Sequence, residues 1–291
     1  MKKVISTAAA FVVIGGLAFG AYSYRAEGNN FEKNESYNTD NIESIKVDSD
    51  SWEVRFKKSE SNKLTIFAEG NQKDDDPVTF KREGEAIVIK QSKSKQGSFF
   101  GGFTFGKKGT IRINMPESGI NNIELTTKDG DIEMSKIAVG NIVVKSNAGD
   151  GKVEGVSAKS GKFSSMDGML SVEDSSIDKL DITSASGDNY MENVTSSKAK
   201  VTSVDGLISI KEVNEGKSLE VNTESGDIKV SYKKAPTSLS VTAESASSDI
   251  DLDIKGLEES EDTENIKKGK VGQGTNKLSL TSDDGLIRVT D

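Results

Sequence analysis

The 291-residue chain contains no cysteine and no histidine. Without cysteine it forms no disulfide, carries no lipoprotein anchor and offers no thiol nucleophile. Without histidine it lacks the side chain best suited to proton transfer near neutral pH. Aromatic residues are 6% of the chain, thin for a sugar-stacking cleft. Positive charge is also short: 38 Lys and Arg against 47 Asp and Glu leave a net charge of −9. Such a chain lacks the basic surface that displaces counterions from nucleic acid, so no nucleic-acid partner is expected. The same sign disfavours simple electrostatic adhesion to anionic lipid or anionic wall polymer.

What is present is a period. Gly130, Gly149, Gly168, Gly187 and Gly206 recur every 19 residues, and Gly226 follows after 20. A fixed period in this range marks a repeat architecture. Counting from each glycine, apolar residues stand at −7, −5, +2 and +4. Around Gly130 they are Ile123, Leu125, Ile132 and Met134; around Gly226 they are Leu219, Val221, Ile228 and Val230. Gly285 repeats the frame with Leu278, Leu280, Ile287 and Val289. Spacing of two is strand alternation, so each unit reads as strand, tight turn, strand. A further apolar residue at +7 (Ile137, Val156, Val194, Val213) suits a second corner. The glycines supply the positive φ that a sharp bend between strands needs. Asp-Gly also signals a two-residue hairpin. A meander of hairpins, however, needs no constant period, whereas coils stacked in register do. The expectation is an all-β chain with a single β-solenoid of about eight 19-residue coils, roughly 40 Å long at ~4.8 Å per coil.

The frame has departures. Gly151 and Gly161 fall at apolar positions, so their coils are expected to be narrower or locally loose. The unit near Ser247 has no glycine in its turn. Residues 255–277 are polar and charged, and read as a projecting solvated loop or an atypical coil. The coil of Gly285 is then expected to close the stack. Residues 42–116 carry less regular strands that begin the stack and cap it, ahead of the regular repeats in 117–291.

At the N-terminus, Lys2 and Lys3 precede 21 uncharged residues, Val4–Tyr24, ended by Arg25. As a helix this run spans ~31 Å, enough to cross a bilayer core. The lysines favour leaving the N-terminus in the cytoplasm and the rest of the chain outside it. The expectation is a transmembrane signal anchor over residues 1–24 in a single-pass cell-membrane protein. Cleavage near Ala18-Phe19-Gly20, which would leave a secreted chain, is the alternative that length disfavours. Residues 25–41 read as a polar tether, and 42–291 as one continuous domain.

Three features are candidates for a site. Asp131, Asp150, Asp188 and Asp227 at +1, and Asp129, Asp167, Asp205 and Asp284 at −1, would stack into acidic columns that calcium could bridge. Asp also simply suits turns, and that reading is preferred. Phe99, Phe100, Phe103 and Phe105 lie in a glycine-rich run flanked by Lys90, Lys93, Lys95, Lys107 and Lys108. They could insert into a membrane surface, fill a partner's pocket, or fold back to cap the first coil. Carboxylates alone can run glycosidic chemistry, but no acid pair stands out from the turn pattern. No residue is therefore assigned as catalytic, cofactor-binding or metal-ligating, and no cofactor is expected.

The segment Ile111-Arg-Ile113-Asn-Met115-Pro116 leads into repeats best seen in Leu219-Glu-Val221-Asn-Thr-Glu-Ser225-Gly226-Asp227-Ile228-Lys-Val230. Over about residues 40–291 this resembles the bacterial "putative adhesin" domain of repeated β-strand units. With the N-terminal anchor, it is similar to the membrane-anchored LiaG-type proteins of Gram-positive envelope-stress operons. The resemblance implies an accessory part in sensing or resisting envelope damage. The implied partners are the membrane, through the N-terminal helix, and an envelope protein or cell-wall polymer. It supplies no catalytic or binding residues. The function expected is a non-catalytic interaction or adhesion scaffold at the cell envelope. A regulatory accessory to a membrane sensor and a polysaccharide-active enzyme on a parallel β-helix are the alternatives.

Overall fold

A computed structural model describes residues 23–24, 30–71, 76–93 and 109–291. Every regular element among them is a strand, and the strands form two 13-stranded sheets. The 19-residue period lays each strand parallel on its equivalent in the next unit. Ile132 pairs with Gly151, Gly151 with Leu170, Leu170 with Asn189 and Asn189 with Ile208. Hairpins would have paired antiparallel, so the glycine units are coils of a solenoid, each giving one strand to each sheet. The −7 and −5 side chains of one sheet and the +2 and +4 side chains of the other are buried in one continuous core. Full burial of each such side chain contributes roughly 1.5–3 kcal/mol, which is why the alternation fixes the register.

Three strands of each 13 belong to antiparallel caps, which leaves ten coils rather than eight. The difference lies in the less regular segment. Ser44–Ser49 with Glu53–Lys58, and Ala86–Gln91 with Gly109–Met115, are two complete coils in register with the rest. At ~4.8 Å per strand step the nine steps between them span about 43 Å.

Of the two outcomes expected at Gly151 and Gly161, narrower or locally loose coils, the structure does not show the loose one. Larger neighbours fill the space: a Cβ on Gly161 would meet the Phe163 ring at 2.8 Å, and one on Gly151 would meet Leu170 Cδ1 at 2.9 Å. A void of only ≈ 20 Å³ remains between them.

At both ends the spatial order of coils departs from chain order. The coil of Gly285 does not close the stack. Its strands Asn276–Ser282 and Ile287–Thr290 lie between the coil of Gly226 and the coil near Ser247, which is therefore outermost. The turn of Gly285 can stack directly on that of Gly226, whereas the longer, glycine-free turn near Ser247 cannot. Ser247 instead donates its hydroxyl to Asp283 O at 3.0 Å and Asp284 Oδ1 at 2.9 Å. Likewise Ala86–Gln91 and Gly109–Met115 lie outside the coil that precedes them in the chain.

Residues 255–277 are not a projecting loop. Glu258–Asp262 and Ile266–Val271 form a hairpin, and its second strand pairs antiparallel with Leu239–Ser245. It covers the outermost strand edge of one sheet, an edge that would otherwise template aggregation. Nor is the tether polar coil throughout. Asn30–Asn38 is a strand antiparallel to Lys63–Asn71, with Phe31 and Tyr37 buried. Lys33 is buried too, its ammonium reaching Val78 O at 3.2 Å and Asp76 at 3.3 Å. Ser23–Tyr24, expected as the end of the anchor helix, pairs with this strand. The other residues of the expected anchor lie outside the described residues. Among the described residues, no helix is long and apolar enough to cross a membrane.

Glu215 ties the intercalated coil to its neighbours. It accepts hydrogen bonds from the Thr237 and Ser238 amides at 2.8 and 3.0 Å and from Asn276 Nδ2 at 3.0 Å. Partial burial would raise its pKa, but these bonds outweigh it and hold the carboxyl below its ordinary 4.5. A depressed folded-state pKa gives stability that is complete above the unfolded value and lost as pH falls through the folded one. Glu215→Gln is therefore expected to flatten the acid limb of stability below about pH 4.5. Urea melts across pH 3–7 check this, and an unchanged acid limb would remove Glu215 from the account.

Candidate interaction surface

The predicted turn glycines Gly130, Gly149, Gly168, Gly187, Gly206, Gly226 and Gly285 come together in one column along a solenoid edge. Positive φ explains only part of them. Gly149, Gly168, Gly187 and Gly206 are left-handed, while Gly130, Gly226 and Gly285 are not. What all share is contact: a Cβ on any of them would lie less than 3.0 Å from the carbonyl oxygen one coil below. For Gly149 that atom is Gly130 O at 2.6 Å, and for Gly206 it is Gly187 O at 2.8 Å. At the bottom of the column Gly130 rests on Trp52 O. The second corner shows the converse. Lys136, Asp174, Asn193 and Glu212, all at +6, have φ between 48° and 55° yet keep side chains. Left-handed backbone alone does not demand glycine here; stacked backbone does.

Beside the glycines runs a column of hydroxyls at −3 that sequence reasoning missed, although its period was legible. Thr127, Ser146, Ser184, Ser203, Thr223 and Ser282 are buried. They donate to corner carbonyls: Ser184 to Gly187 O at 3.3 Å, Ser203 to Asp205 O at 2.7 Å, Ser282 to Gly226 O at 3.1 Å.

The +1 aspartates have a backbone task. Oδ1 of Asp131, Asp150, Asp188 and Asp227 accepts the amides of Asp150 (3.1 Å), Met169 (2.9 Å), Leu207 (2.9 Å) and Leu286 (3.1 Å), each one coil on. Among the described residues, no group of three or more Asp or Glu is placed to hold a metal ion. Thermal midpoints are expected to be equal in chelator and in millimolar calcium. A calcium-dependent rise of several degrees would instead make these carboxylates ion ligands.

The two outer faces differ. On the face of the sheet that carries the −6 positions, polar side chains bond to their counterparts one coil away. Asn141 donates to Asn122 at 2.9 Å, Ser160 to Asn141 at 2.7 Å, and Lys200 pairs with Glu220 at 2.7 Å. The hydrogen bonds from Lys200 and Asn222 hold the Glu220 carboxyl below its ordinary pKa despite partial burial. The opposite face carries a groove of ≈ 590 Å³, within the usual range for ligand clefts. Its depth comes from short side chains at +3: Ser171 and Ser209 flank Tyr190 in register. The Tyr190 hydroxyl donates to Asp188 at 2.9 Å. That bond, with burial and the aspartate charge adding to it, holds the phenol above its ordinary pKa. Met169 lines the groove at its corner edge and is 42% exposed; Met166 and Val204 are exposed on the same edge. Nothing in the repeat pattern marked this groove, because its residues occupy the outward positions where the frame is silent. Phe99, Phe100, Phe103 and Phe105 lie outside the described residues.

Ten parallel coils, a backbone-on-backbone glycine column and antiparallel caps define a two-sheet β-solenoid. The chain belongs to the Toastrack DUF4097 family, whose model matches residues 42–290. No curated protein sequence matches it. Among solved structures, it is similar to a "putative lipid binding protein" from Parabacteroides distasonis at 14% identity and TM-score 0.50, covering 89% of this chain and 97% of that one. A "putative adhesin" from the same organism matches at 12% identity and TM-score 0.47, covering 89% and 96%. One from Parabacteroides merdae matches at 11% and 0.46, covering 89% and 96%. At these identities the likeness concerns the fold. The family match bears out the repeated β-strand domain that the sequence resembles.

Proposed function

We propose that this chain is a membrane-anchored, extracytoplasmic interaction or adhesion scaffold of the bacterial cell envelope, and not an enzyme. The observation that carries the reading is the stack itself. One continuous core joins ten coils, and one outer face is a ladder of polar side chains bonded to one another. Such a rod offers a long, stiff face and resists local rearrangement. The uncharged run Val4–Tyr24 supports a single-pass anchor with the rod outside the cytoplasm. The LiaG-type resemblance supports a link to the envelope-stress response of a Gram-positive cell.

The groove gives a polysaccharide-active enzyme its one specific argument. Glu173 and Glu192 stand on consecutive coils beside Tyr190. Against it, Glu173 already accepts the Ser171 hydroxyl at 2.7 Å and pairs with Lys152 at 3.4 Å. Tyr190 is also the groove's only aromatic among the described residues.

Photo-crosslinking in growing cells tests the proposal, with the crosslinker at Lys200 on the polar ladder and separately at Phe103. Adducts from Lys200 to wall polymer or a surface protein are expected. A discrete adduct to one membrane protein from Phe103 alone would favour the regulatory accessory. Hydrolysis of wall polymer by the purified chain, lost in Glu192→Gln, would establish the enzyme instead.

A further inference from the structure

The rod carries opposite charge on its two outer faces, at the same height. On the polar ladder, the consecutive strands Ala138–Ala148, Ser157–Asp167, Ser176–Ser186 and Lys198–Asp205 point their −8, −6 and −4 side chains outward. Among these are Lys145, Lys162, Lys179, Lys198 and Lys200, with Asp181 as the one acid, for a net charge of +4 (5 − 1). The groove on the opposite face spans the same coils and continues below them. Six carboxylates line it against Lys152 and Lys211, for a net charge of −4 (2 − 6). Neither patch is neutralised within the chain. Lys179 lies directly opposite Lys198, and neither ammonium has an ion-pair partner among the described residues. Glu154, Glu173 and Glu192 stand in register on three consecutive coils, and Lys152 serves only the first two. Like charges directly opposite on neighbouring strands are destabilising. A partner that brings the opposite sign to each column removes that cost.

We propose that this partner is a second copy of the chain, whose basic ladder docks on the acidic groove of the first. The two patches match in charge, +4 against −4, and in place. Both lie on the coils of Gly149 to Gly206, so parallel copies meet face to face at equal height. The groove suits long cationic side chains in particular. The short Ser171 and Ser209 side chains give it the depth to receive lysine ammonium groups, and Met169 at its edge offers an apolar wall to their methylene stems. Each docked copy still presents one free face of each sign. The contact is therefore heterologous and does not close, and it propagates as a row of parallel rods. The overall charge of −9 repels copies at a distance. At physiological salt that repulsion is screened beyond ~8 Å, whereas the facing charges act within that range. Such complementarity sets which faces meet more than how tightly they hold. The inference rests on the scaffold reading and deepens it, by naming one partner for both faces.

The absence of cysteine makes the test direct. Two full-length variants are prepared, Thr183→Cys amid the basic ladder and Tyr190→Cys in the groove. They are mixed with a short bis-maleimide, which joins thiols across packed sheet faces ~10 Å apart. At physiological salt the mixed dimer is expected at about tenfold the yield of either variant's own homodimer. At 1 M salt, where screening sets in at ~3 Å, it should fall to the homodimer level. Lys179→Glu with Lys198→Glu in the Thr183→Cys chain should have the same effect. Glu173→Lys with Glu192→Lys in the Tyr190→Cys chain should then restore the mixed dimer, a recovery that misfolding does not produce. A mixed dimer no more abundant than the homodimers would overturn the proposal. So would one that the charge reversals leave unchanged. Neither result touches the scaffold reading, which stands or falls on the adducts from Lys200 to wall polymer or another surface protein.

Discussion

Gly285→Ala is expected to cost about 3–5 kcal/mol, the upper range for a single substitution. The backbone at Gly285 is not left-handed, so alanine meets no φ penalty there. The cost is contact: its Cβ would fall less than 3.0 Å from both the carbonyl carbon and oxygen of Gly226, and from the Ser282 hydroxyl. The two nearest of these atoms are backbone, which cannot yield without shifting the coil. Gly84 is the matched control, with φ +63° and no atom within 4 Å of an added Cβ. Gly84→Ala is expected to cost about 1 kcal/mol, from conformation alone. Because the coil of Gly285 lies inside the stack, its loss also detaches the outer coil, Leu239–Ser245 and Ile250–Asp253. Hydrogen exchange in Gly285→Ala should show those strands opening with it, while the coils of Gly130 to Gly187 stay protected. Equal costs for the two variants in urea melts would mean that conformation, not stacking, selects the glycines.

Gln91→Met is expected to cost a similar amount, about 3–5 kcal/mol, for an electrostatic reason. One side-chain oxygen, Gln91 Oε1, accepts the amides of Asp50 at 2.9 Å and of Ser51 and Trp52 at 3.0 Å, and the Ser49 hydroxyl at 2.9 Å. This corner begins the column and has Trp52, wholly buried, where the later corners have glycine. Methionine matches the volume of glutamine but takes away the shared acceptor. Each buried donor that loses its partner costs about 1–3 kcal/mol. Gln91→Glu retains an acceptor and is expected to stay within about 1 kcal/mol of the parent, since amides stabilise a carboxylate. If both variants lose the same stability in thermal melts, packing rather than hydrogen bonding holds this corner.

The coils were legible because a parallel stack repeats its demands: apolar residues like Ile123, Leu125, Ile132 and Met134 recur at most of the turns. The glycine column was legible for the same reason, although φ is only part of its cause. Coil order at the ends was not legible. It depends on which turn can lie flat on Gly226, and the sequence presents the unit near Ser247 first. Asn30–Asn38 reads as tether because Lys33 and Glu35 break the apolar alternation, and burial of Lys33 depends on Asp76 and Val78, more than 40 residues away. The hairpin within 255–277 is hidden by its charge, since it caps an edge and needs no apolar face. The second corner was legible from its apolar +7 residues, Ile137, Val156, Val194 and Val213, but its left-handed +6 positions were not, because four of them carry Lys136, Asp174, Asn193 and Glu212 rather than glycine. The groove is hidden because two serines at +3 look like ordinary surface residues until they flank Tyr190.

Disulfide trapping at the intercalated coil tests the stack most directly. Glu220 pairs in register with Ser279, and Ser279 in turn with Thr242. Neighbouring strands ~4.8 Å apart bring paired Cα atoms within disulfide reach, and two strand steps do not. Glu220→Cys with Ser279→Cys should close readily, while Glu220→Cys with Thr242→Cys should remain open. The reverse result would place the coils in chain order and contradict the fold on which both faces of the rod depend.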